Sequence, residues 1–395
     1  MRLIKFSFVP YCNSRSKVLS WLSKNIAPCN RLFTNQYIDN CNISSSLYDI
    51  YDPILEYSRL GIKQTDGPWR LSLANHNYAL CSTYPAKLLV PSCATDEILF
   101  ESSKFRTKGR IPVCCWRHPE NGAALCRSSQ PRVGIVGNQC NFDQFLILSI
   151  QQASVASHPD VAPPDITESL AEIDQFGPPP LIIFDPRPRV NAVANTVVGA
   201  GFESSQIYRN CQVRFLGIAN IHAVRESYSK MRNFCNSRIP KENVPSAALN
   251  TDWFQHLTTI FNGANQIANK IRKGVSALIH CSDGWDRTTQ LISLVQLLLD
   301  PFYRTLKGFI LLIEKEWLSY GHKFADRCRT NIKEDVKSQE RSPIFLQFLD
   351  CVYHLISTFP ECFEFNEKLL RELLIHVHSC KYSTLFVYSL SSHHI

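Results

Sequence analysis

Three continuous apolar runs of strand length constrain the fold of this chain more than any other feature. They are LIIFDP at 181–186, VRFLGI at 213–218 and SALIH at 276–280, and each is followed by polar residues and a helical pattern. A strand that is apolar at consecutive positions is buried on both faces, which is typical of parallel sheets covered by helices. The alternation predicts an α/β fold.

Shorter patterns complete the predicted elements. Strands are predicted in WRLSL, YALCSTY, KLLVP and RIPVCCW, so we expect the sheet to be mixed. Helical patterns cover about 94–105, 141–153, 251–273, 288–299, 308–319, 343–358 and 366–378. Pro343 suits the first turn of its helix, where a missing N–H does no harm. Many helices should therefore flank a central mixed sheet.

Two segments lack the regular hydrophobic patterns of the predicted strands and helices. Residues 1–47 are rich in Ser, Asn and Cys and show weak periodicity, so we expect a poorly patterned N-terminal remnant followed by one domain over 48–395. Near 155–180 the chain has six prolines and five acidic residues but no Lys or Arg, which predicts a solvated surface insertion.

The composition excludes several classes of protein. A chain of 395 residues with 45% hydrophobic residues can bury a large core and is too apolar to be disordered. Lys5 and Pro10 interrupt the N-terminal apolar stretch before a signal segment can form, so we expect the 16 cysteines to be reduced and mostly buried. The chain has no CxxC pair, and nothing predicts a metal or another cofactor. No apolar run approaches the roughly 18 residues of a membrane span.

The charge balance bears on partners. Lys and Arg outnumber Asp and Glu by 42 to 34, a formal net charge of +8. Such an excess favours phosphate-bearing partners. The net charge alone does not distinguish nucleic acid from anionic lipid as the partner.

The segment SALIHCSDGWDRTTQLISLVQLLL joins an apolar strand to a leucine-rich helix through a short polar turn. Backbone N–H groups at a helix N-terminus have no partners within the helix and, with the helix dipole, bind phosphate. Gly284 allows a positive φ in the turn, so that consecutive amides can converge on one anion. The segment predicts a phosphate-binding loop.

Cys281 opens this loop and Arg287 closes it, with five residues between them. A thiol that faces backbone amides and a guanidinium loses its proton readily, because both stabilise the thiolate. The planar fork of arginine can hold two phosphate oxygens at once. The pattern predicts nucleophilic attack by Cys281 on a phosphate, with Asp283 and Asp286 as candidate general acids.

The sequence HCSDGWDRT at 280–288 resembles the active-site signature of the myotubularin family of phosphoinositide 3-phosphatases, which are Cys-dependent phosphatases. The likeness runs from about Tyr51 to about Phe386 and includes RIPVCCWRHPENG, FDPRPRVNAVAN and NIHAVRES. It implies a fold like that of protein tyrosine phosphatases. Family members usually also carry a PH-GRAM domain and a coiled coil. We expect this chain to lack complete versions of both, because residues 1–47 are short and no heptads occur.

The resemblance implies roles for the loop residues. Cys281 would attack the D3 phosphate, and Arg287 would clamp it. Asp286 would be the general acid, with Asp283 as its competitor. The remaining phosphate contacts would come from the backbone of the loop, at Ser282, Asp283, Gly284 and Trp285.

The resemblance also implies contacts outside the loop. Asn191, Asn220 and Ile221 would touch the inositol ring or its D1 phosphate, although turns that stabilise loops are an equal expectation for the two asparagines. Lys323 and Arg327 lie four apart, as on one helix face, and would meet the other headgroup phosphates; an ordinary solvated basic face is the alternative.

Three neighbouring residues have expected structural roles. His280 could tune the nucleophile, or could be a buried histidine that satisfies a backbone carbonyl. Asp185 and Arg187 are expected to form a buried ion pair that orients the loops. A substrate contact is less expected for that pair.

The function implied by the resemblance is hydrolysis of the D3 phosphate of phosphatidylinositol 3-phosphate and phosphatidylinositol 3,5-bisphosphate through a cysteinyl-phosphate intermediate. The partners would be phosphoinositide headgroups, not nucleic acid, and the protein would act in the cytoplasm, peripherally at endosomal membranes. Association with a second copy or with family members is also expected. Two alternatives stay open: a catalytically silent scaffold, and a protein tyrosine or dual-specificity phosphatase.

Overall fold

A five-stranded mixed sheet lies at the centre of the residues that the computed structural model describes, which are 51–62, 67–156, 180–238, 240, 243–328 and 338–379. Its strands are β3 (Val113–Arg117), β4 (Ala124–Ser129), β5 (Leu181–Asp185), β6 (Cys211–Phe215) and β7 (Ser276–Cys281). The spatial order is β3-β4-β7-β5-β6, with β3 antiparallel to β4 and every other pair parallel. The expected α/β class with a central mixed sheet is confirmed.

Helices make up most of the remaining described structure. They are α1 (Pro53–Arg59), α2 (Asp96–Phe105), α3 (Asn141–Ala156), α4 (Arg189–Ala194), α5 (Ile221–Asn236), α6 (Val244–Leu249), α7 (Trp253–Arg272), α8 (Arg287–Leu299), α9 (Leu306–Ile313), α10 (Phe324–Cys328), α11 (Ile344–Thr358) and α12 (Glu367–Ser379). A π-helical stretch, Glu314–Ser319, continues α9. A small antiparallel pair, β1 (Trp69–Ser72) and β2 (Leu88–Pro91), forms a separate two-stranded sheet.

The middle of the molecule is built from β7 and α8. Every residue of β7 is buried, as the continuous apolar run predicts. In α8 the residues from Thr288 to Leu298 are all buried, so this helix is enclosed on every side. The loop between them therefore has both ends fixed in the core.

The carboxyl ends of four parallel strands meet at one edge of the sheet. Ser129 of β4 pairs with Cys281 of β7, and Phe184 of β5 pairs with Ile279. In open α/β sheets ligands bind outside the carboxyl ends of the strands. Cys281 is the last residue of β7 and lies at this edge.

Two strand predictions need correction. YALCSTY forms turns instead of a strand, because the buried Asn75 side chain donates to the carbonyls of Cys81, Tyr84 and Pro85 and folds the segment around itself. VRFLGI forms strand only to Phe215, because the chain then turns. There the Ile218 amide bonds to the Pro186 carbonyl.

The remaining expectations concern the cysteines, membrane spans and two segments of the chain. Among the described cysteines all twelve are free and eight are buried, as expected. No helix in the described part of the chain is long and apolar enough to cross a membrane. Residues 1–47 lie outside the described ranges, and so does the predicted insertion over 157–179, whereas Val155 and Ala156 belong to the end of α3.

Candidate active site

The loop from Cys281 to Arg287 has the geometry of an anion-binding turn. Gly284 has φ +76°, which confirms the predicted positive φ. Its amide N donates to Cys281 Sγ at 3.3 Å. A Cβ at position 284 would lie only 2.3 Å from the Ser128 carbonyl oxygen, so the position accepts glycine alone.

The loop carbonyls are turned outward. Hydrogen bonds from distant segments of the chain hold three of them: Ser282 O accepts from Gln130 N at 3.1 Å, Gly284 O from Arg110 and Arg127 at 2.9 and 2.8 Å, and Trp285 O from His322 Nδ1 at 2.8 Å. Within a trans peptide the C=O and the following N–H point in opposite directions. The amides of Asp283, Trp285 and Asp286 therefore face the other side of the loop, where they can converge on an anion.

Arg287 is the first residue of α8, and its side chain is half-buried. Its guanidinium donates to the carbonyl of Ile218, in the turn that follows β6, at 3.3 Å. The helix start brings its own unpaired amides and the positive end of its dipole to the same place. A thiol and a guanidinium thus bracket a loop that is suited to phosphate.

Asp286 is held as a carboxylate. Arg327 donates to both of its oxygens, from Nε at 3.1 Å and from the terminal nitrogen at 2.8 Å, and His322 Nδ1 lies 3.3 Å away. Burial alone would raise the pKa of Asp286, but Arg327 and His322 outweigh it and hold the pKa well below its usual range. Asp286 therefore carries a negative charge at neutral pH.

Asp283 is in the opposite condition. Burial raises its pKa, the charge on Asp286 raises it further, and Arg110 opposes both effects. Of the two candidate acids in the loop, Asp283 holds a proton more readily. The family resemblance, by contrast, implies Asp286 as the acid.

The alternative of an ordinary solvated basic helix face for Lys323 and Arg327 is wrong. Lys323 precedes α10 and places its Nζ 4.5 Å from the centre of the Trp285 ring. Arg327 is only 6% exposed and bonds to Glu340 as well as Asp286. Both side chains adjoin the loop, but Arg327 is buried and stabilises the loop through its contacts with Asp286.

The predicted ring contacts lie at the starts of the helices that follow the parallel strands β5 and β6. Asn220 caps α5, because its Oδ1 accepts from the amides of His222 and Ala223 at 3.1 and 3.0 Å, so the stabilising role is present. Ile221 is the first residue of α5, where the amide has no acceptor within the helix. Asn191 is half-buried in α4, which follows β5.

Sequence reasoning missed Asn195, which contacts the loop directly. Its Nδ2 donates to Gln130 Oε1 at 3.0 Å and lies 3.4 Å from Ser282 Oγ. Gln130 Oε1 also accepts a hydrogen bond from Arg187. The four-residue spacing of the two asparagines in NAVAN was the available signal, since residues four apart share a helix face.

A buried ionic network supports the nucleophile from behind. His280 Nε2 lies 2.7 Å from Glu203 Oε2, while Glu203 Oε1 accepts from Arg106 at 2.6 Å. Arg106 also forms a two-pronged pair with Asp143, at 2.8 and 2.6 Å. Burial alone would raise the pKa of Glu203, but His280 and Arg106 hold it well below its usual range. The network therefore fixes His280, whose Nδ1 lies 3.3 Å from the Cys281 carbonyl oxygen.

The expected ion pair between Asp185 and Arg187 is confirmed. Their closest contact is 2.6 Å, and both side chains are fully buried. Arg187 also donates to the Gly201 carbonyl at 2.8 Å, which ties the end of β5 to the following segment. As for metals, the described residues hold no group of three or more His, Cys, Asp or Glu that could bind one.

The chain is similar in sequence to known phosphatases. Residues 32–393 match the family described as "Myotubularin-like phosphatase domain". The chain is 39% identical to the myotubularin of Xenopus tropicalis over 98% of its own length and 61% of that protein. It is 39% identical to the phosphatidylinositol-3,5-bisphosphate 3-phosphatase MTMR2 of Mus musculus over 97% of its own length and 56% of that protein. The chain thus spans about three fifths of the length of these curated relatives.

Proposed function

The chain belongs to the myotubularin family of phosphatase domains, and on that premise we propose that it is a lipid phosphatase. Its substrates would be phosphatidylinositol 3-phosphate and phosphatidylinositol 3,5-bisphosphate, from which it removes the D3 phosphate. The observation that carries the proposal is the contact of the Gly284 amide with Cys281 Sγ, in a loop that Arg287 closes.

The reaction proceeds in two steps. Cys281 Sγ attacks phosphorus, the bond from phosphorus to the D3 oxygen breaks, and a proton passes to the leaving inositol oxygen. Water then attacks the cysteinyl phosphate, which releases inorganic phosphate and restores the sulfur. Arg287 and the loop amides hold the three equatorial oxygens in both transition states.

The proton comes from one of two loop carboxyls. Asp283 is the better donor in the structure as it stands, because its pKa is raised and that of Asp286 is lowered. Asp286, the acid implied by the family resemblance, can take the role when a bound headgroup draws Arg327 away from it. The two assignments predict different effects of substituting Asp283 and Asp286.

Residues around the loop are proposed to bind the remaining parts of the headgroup, which are its other phosphates and the inositol ring. Lys323 is the proposed contact of the second phosphate, because its Nζ already lies over Trp285. Arg327 can join it only by exchanging Asp286 for the phosphate. The proposed contacts of the ring or its D1 phosphate are Asn191, Asn220 and the amide of Ile221.

The proposed setting is the cytoplasmic face of endosomal membranes, with phosphoinositide headgroups as partners and family members as candidates for association. A catalytically silent scaffold is less favoured, because Cys281 and Arg287 are both present. A protein tyrosine phosphatase is less favoured too, because Lys323 adds positive charge where a phenyl ring needs an apolar wall.

Phosphate release from soluble short-chain lipids tests the proposal. The panel comprises the 3-phosphate, the 3,5-bisphosphate, the 4-phosphate and a phosphotyrosine peptide, with the unmodified protein, Cys281→Ser and Cys93→Ser. Cys93 is an exposed cysteine and serves as the matched control. We expect release from the two 3-phosphorylated lipids alone, its loss in Cys281→Ser, and its retention in Cys93→Ser. Preference for the peptide would favour the tyrosine phosphatase, and no release at all would favour the scaffold.

A further inference from the structure

Six large aliphatic side chains are exposed on two segments of the chain. Between 48% and 83% of their surface is accessible, and they are Ile135, Val136, Val190, Val193, Val197 and Val198. We call them the aliphatic rim. Single exposed aliphatic residues are ordinary on protein surfaces, whereas a contiguous group marks an interaction surface.

The two segments of the rim form one surface. The amide of Gly134 donates to the carbonyl of Ala200 at 2.9 Å. A Cβ on Gly201 would lie 3.3 Å from Cβ of Val133, so the two backbones run in close contact. The exposed side chains on either side of this junction therefore belong to a single patch.

The rim adjoins the candidate active site. Gln130, which precedes Ile135 on the same stretch of chain, donates its amide to the Ser282 carbonyl at 3.1 Å. Asn195, within the second segment, lies 3.4 Å from Ser282 Oγ. Each segment is thus one hydrogen bond away from the loop that carries Cys281.

The two segments that carry the rim have charge of one sign. Neither 124–142 nor 186–202 contains an Asp or a Glu, while Arg132 and Arg189 are exposed beside the aliphatic residues. Lys108 is exposed next to Thr107, whose amide donates to the Gln130 carbonyl at 3.1 Å. Aliphatic side chains ringed by basic ones match the interface of an anionic bilayer, which offers acyl chains and phosphates together.

We propose that the aliphatic rim is a membrane-docking surface that enters the interface of an anionic bilayer and sets the loop with Cys281 against the lipid headgroups. This inference rests on the proposed lipid substrate. A second copy of the chain is a poorer occupant, because a two-fold interface here would bring two basic patches together, each with Arg132 and Arg189 and with no acid on these two segments to offset them.

The test compares rim variants with a matched control. The rim variants are Ile135→Ser/Val136→Ser and, separately, Val198→Ser. The control is Leu55→Ser, which is 69% exposed on α1. Arg59 of α1 pairs with Asp300, just past the end of α8 that is opposite the loop, about 20 Å along the helix. The first measurement is cosedimentation with vesicles of phosphatidylcholine and phosphatidylserine that contain a 3-phosphoinositide. The second is kcat/KM, determined for vesicle-borne lipid and for soluble short-chain lipid.

We expect vesicle binding and vesicle turnover to fall about tenfold in the double variant, and less in Val198→Ser, as lost aliphatic burial requires. Turnover of soluble lipid should stay within about twofold of the unmodified protein, as should every property of Leu55→Ser. Equal vesicle binding by rim and control variants would overturn the proposal. So would intact vesicle binding with a changed sedimentation coefficient, which would make the rim a contact between copies. If the protein hydrolyses no lipid, the proposed function fails while vesicle binding still decides the role of the rim.

Discussion

Gly284→Ala tests whether the shape of the loop carries the chemistry. The new Cβ would lie 2.3 Å from the Ser128 carbonyl oxygen, about 1 Å inside an ordinary contact. Ser128 cannot withdraw, because it belongs to β4 and is paired with His280 in the middle of the sheet. The loop has to move instead, which takes the Gly284 amide away from Cys281 Sγ.

The magnitude follows from what moves. An alanine at φ +76° costs about 1–2 kcal/mol. The displaced Gly284 carbonyl also loses Arg110 and Arg127, each a hydrogen bond to a charged group worth about 1.5–3 kcal/mol. These costs add up to about 4–8 kcal/mol, which is the largest expected fall in the free energy of unfolding. A shift of about 1 Å at the site should lower kcat/KM by about 10²-fold.

Gly274→Ala is the matched control. Gly274 has φ +78°, and no atom lies within 4 Å of the position a Cβ would take. This variant should lose about 1–2 kcal/mol of stability and no activity. The assay is kcat/KM for a soluble 3-phosphoinositide, measured below the midpoint temperatures of both variants, beside their thermal unfolding. If the two variants lost stability and activity equally, the reasoning about Gly284 would be refuted.

Three further predictions concern single side chains. Asp283→Asn should lower hydrolysis of a lipid headgroup by about 10²-fold or more but that of an aryl phosphate little, because an aryl leaving group needs no proton; a leaving-group-dependent loss in Asp286→Asn instead would move the role there. Glu203→Gln should lower the free energy of unfolding by roughly 3 kcal/mol. Because folding depresses the pKa of Glu203, its stabilisation is present above the unfolded value of about 4.3 and is lost as pH falls below it. Thermal unfolding of the unmodified protein and the variant should therefore converge in acid, and parallel curves would contradict this. Lys323→Ala should lower kcat/KM for the 3,5-bisphosphate more than for the 3-phosphate, by a factor that shrinks as salt is added; an unchanged ratio between the two lipids would remove Lys323 from the second phosphate site.

The local part of the site could be predicted from the sequence. The β7 strand, the glycine turn and the α8 helix are continuous in the chain, so their patterns contain the whole geometry of a helix N-terminus behind a thiol. The positive φ of Gly284 is one outcome of this kind. Interactions between residues close together in the chain favour this φ, and such interactions can be read from the sequence.

The partners of the loop could not be predicted, because they come from distant parts of the chain. Arg327 meets Asp286 across 41 residues, and Glu203 meets His280 across 77. The contact with Arg327 holds the pKa of Asp286 low, so the acid implied by the family resemblance is the loop aspartate that gives up its proton more easily. Strand β4 was missed for the same reason: Arg127 looks like a surface residue until Glu316 and the Gly284 carbonyl are seen to satisfy it in the core.

The most direct test of the account is to trap the intermediate. A soluble 3-phosphoinositide with a labelled D3 phosphate is mixed with excess protein, quenched within one turnover, and the protein is digested and mapped. The account predicts one labelled peptide, with the phosphoryl group on Cys281, and no label in Cys281→Ser. Label on another residue, or turnover by Cys281→Ser at the unmodified rate, would contradict it.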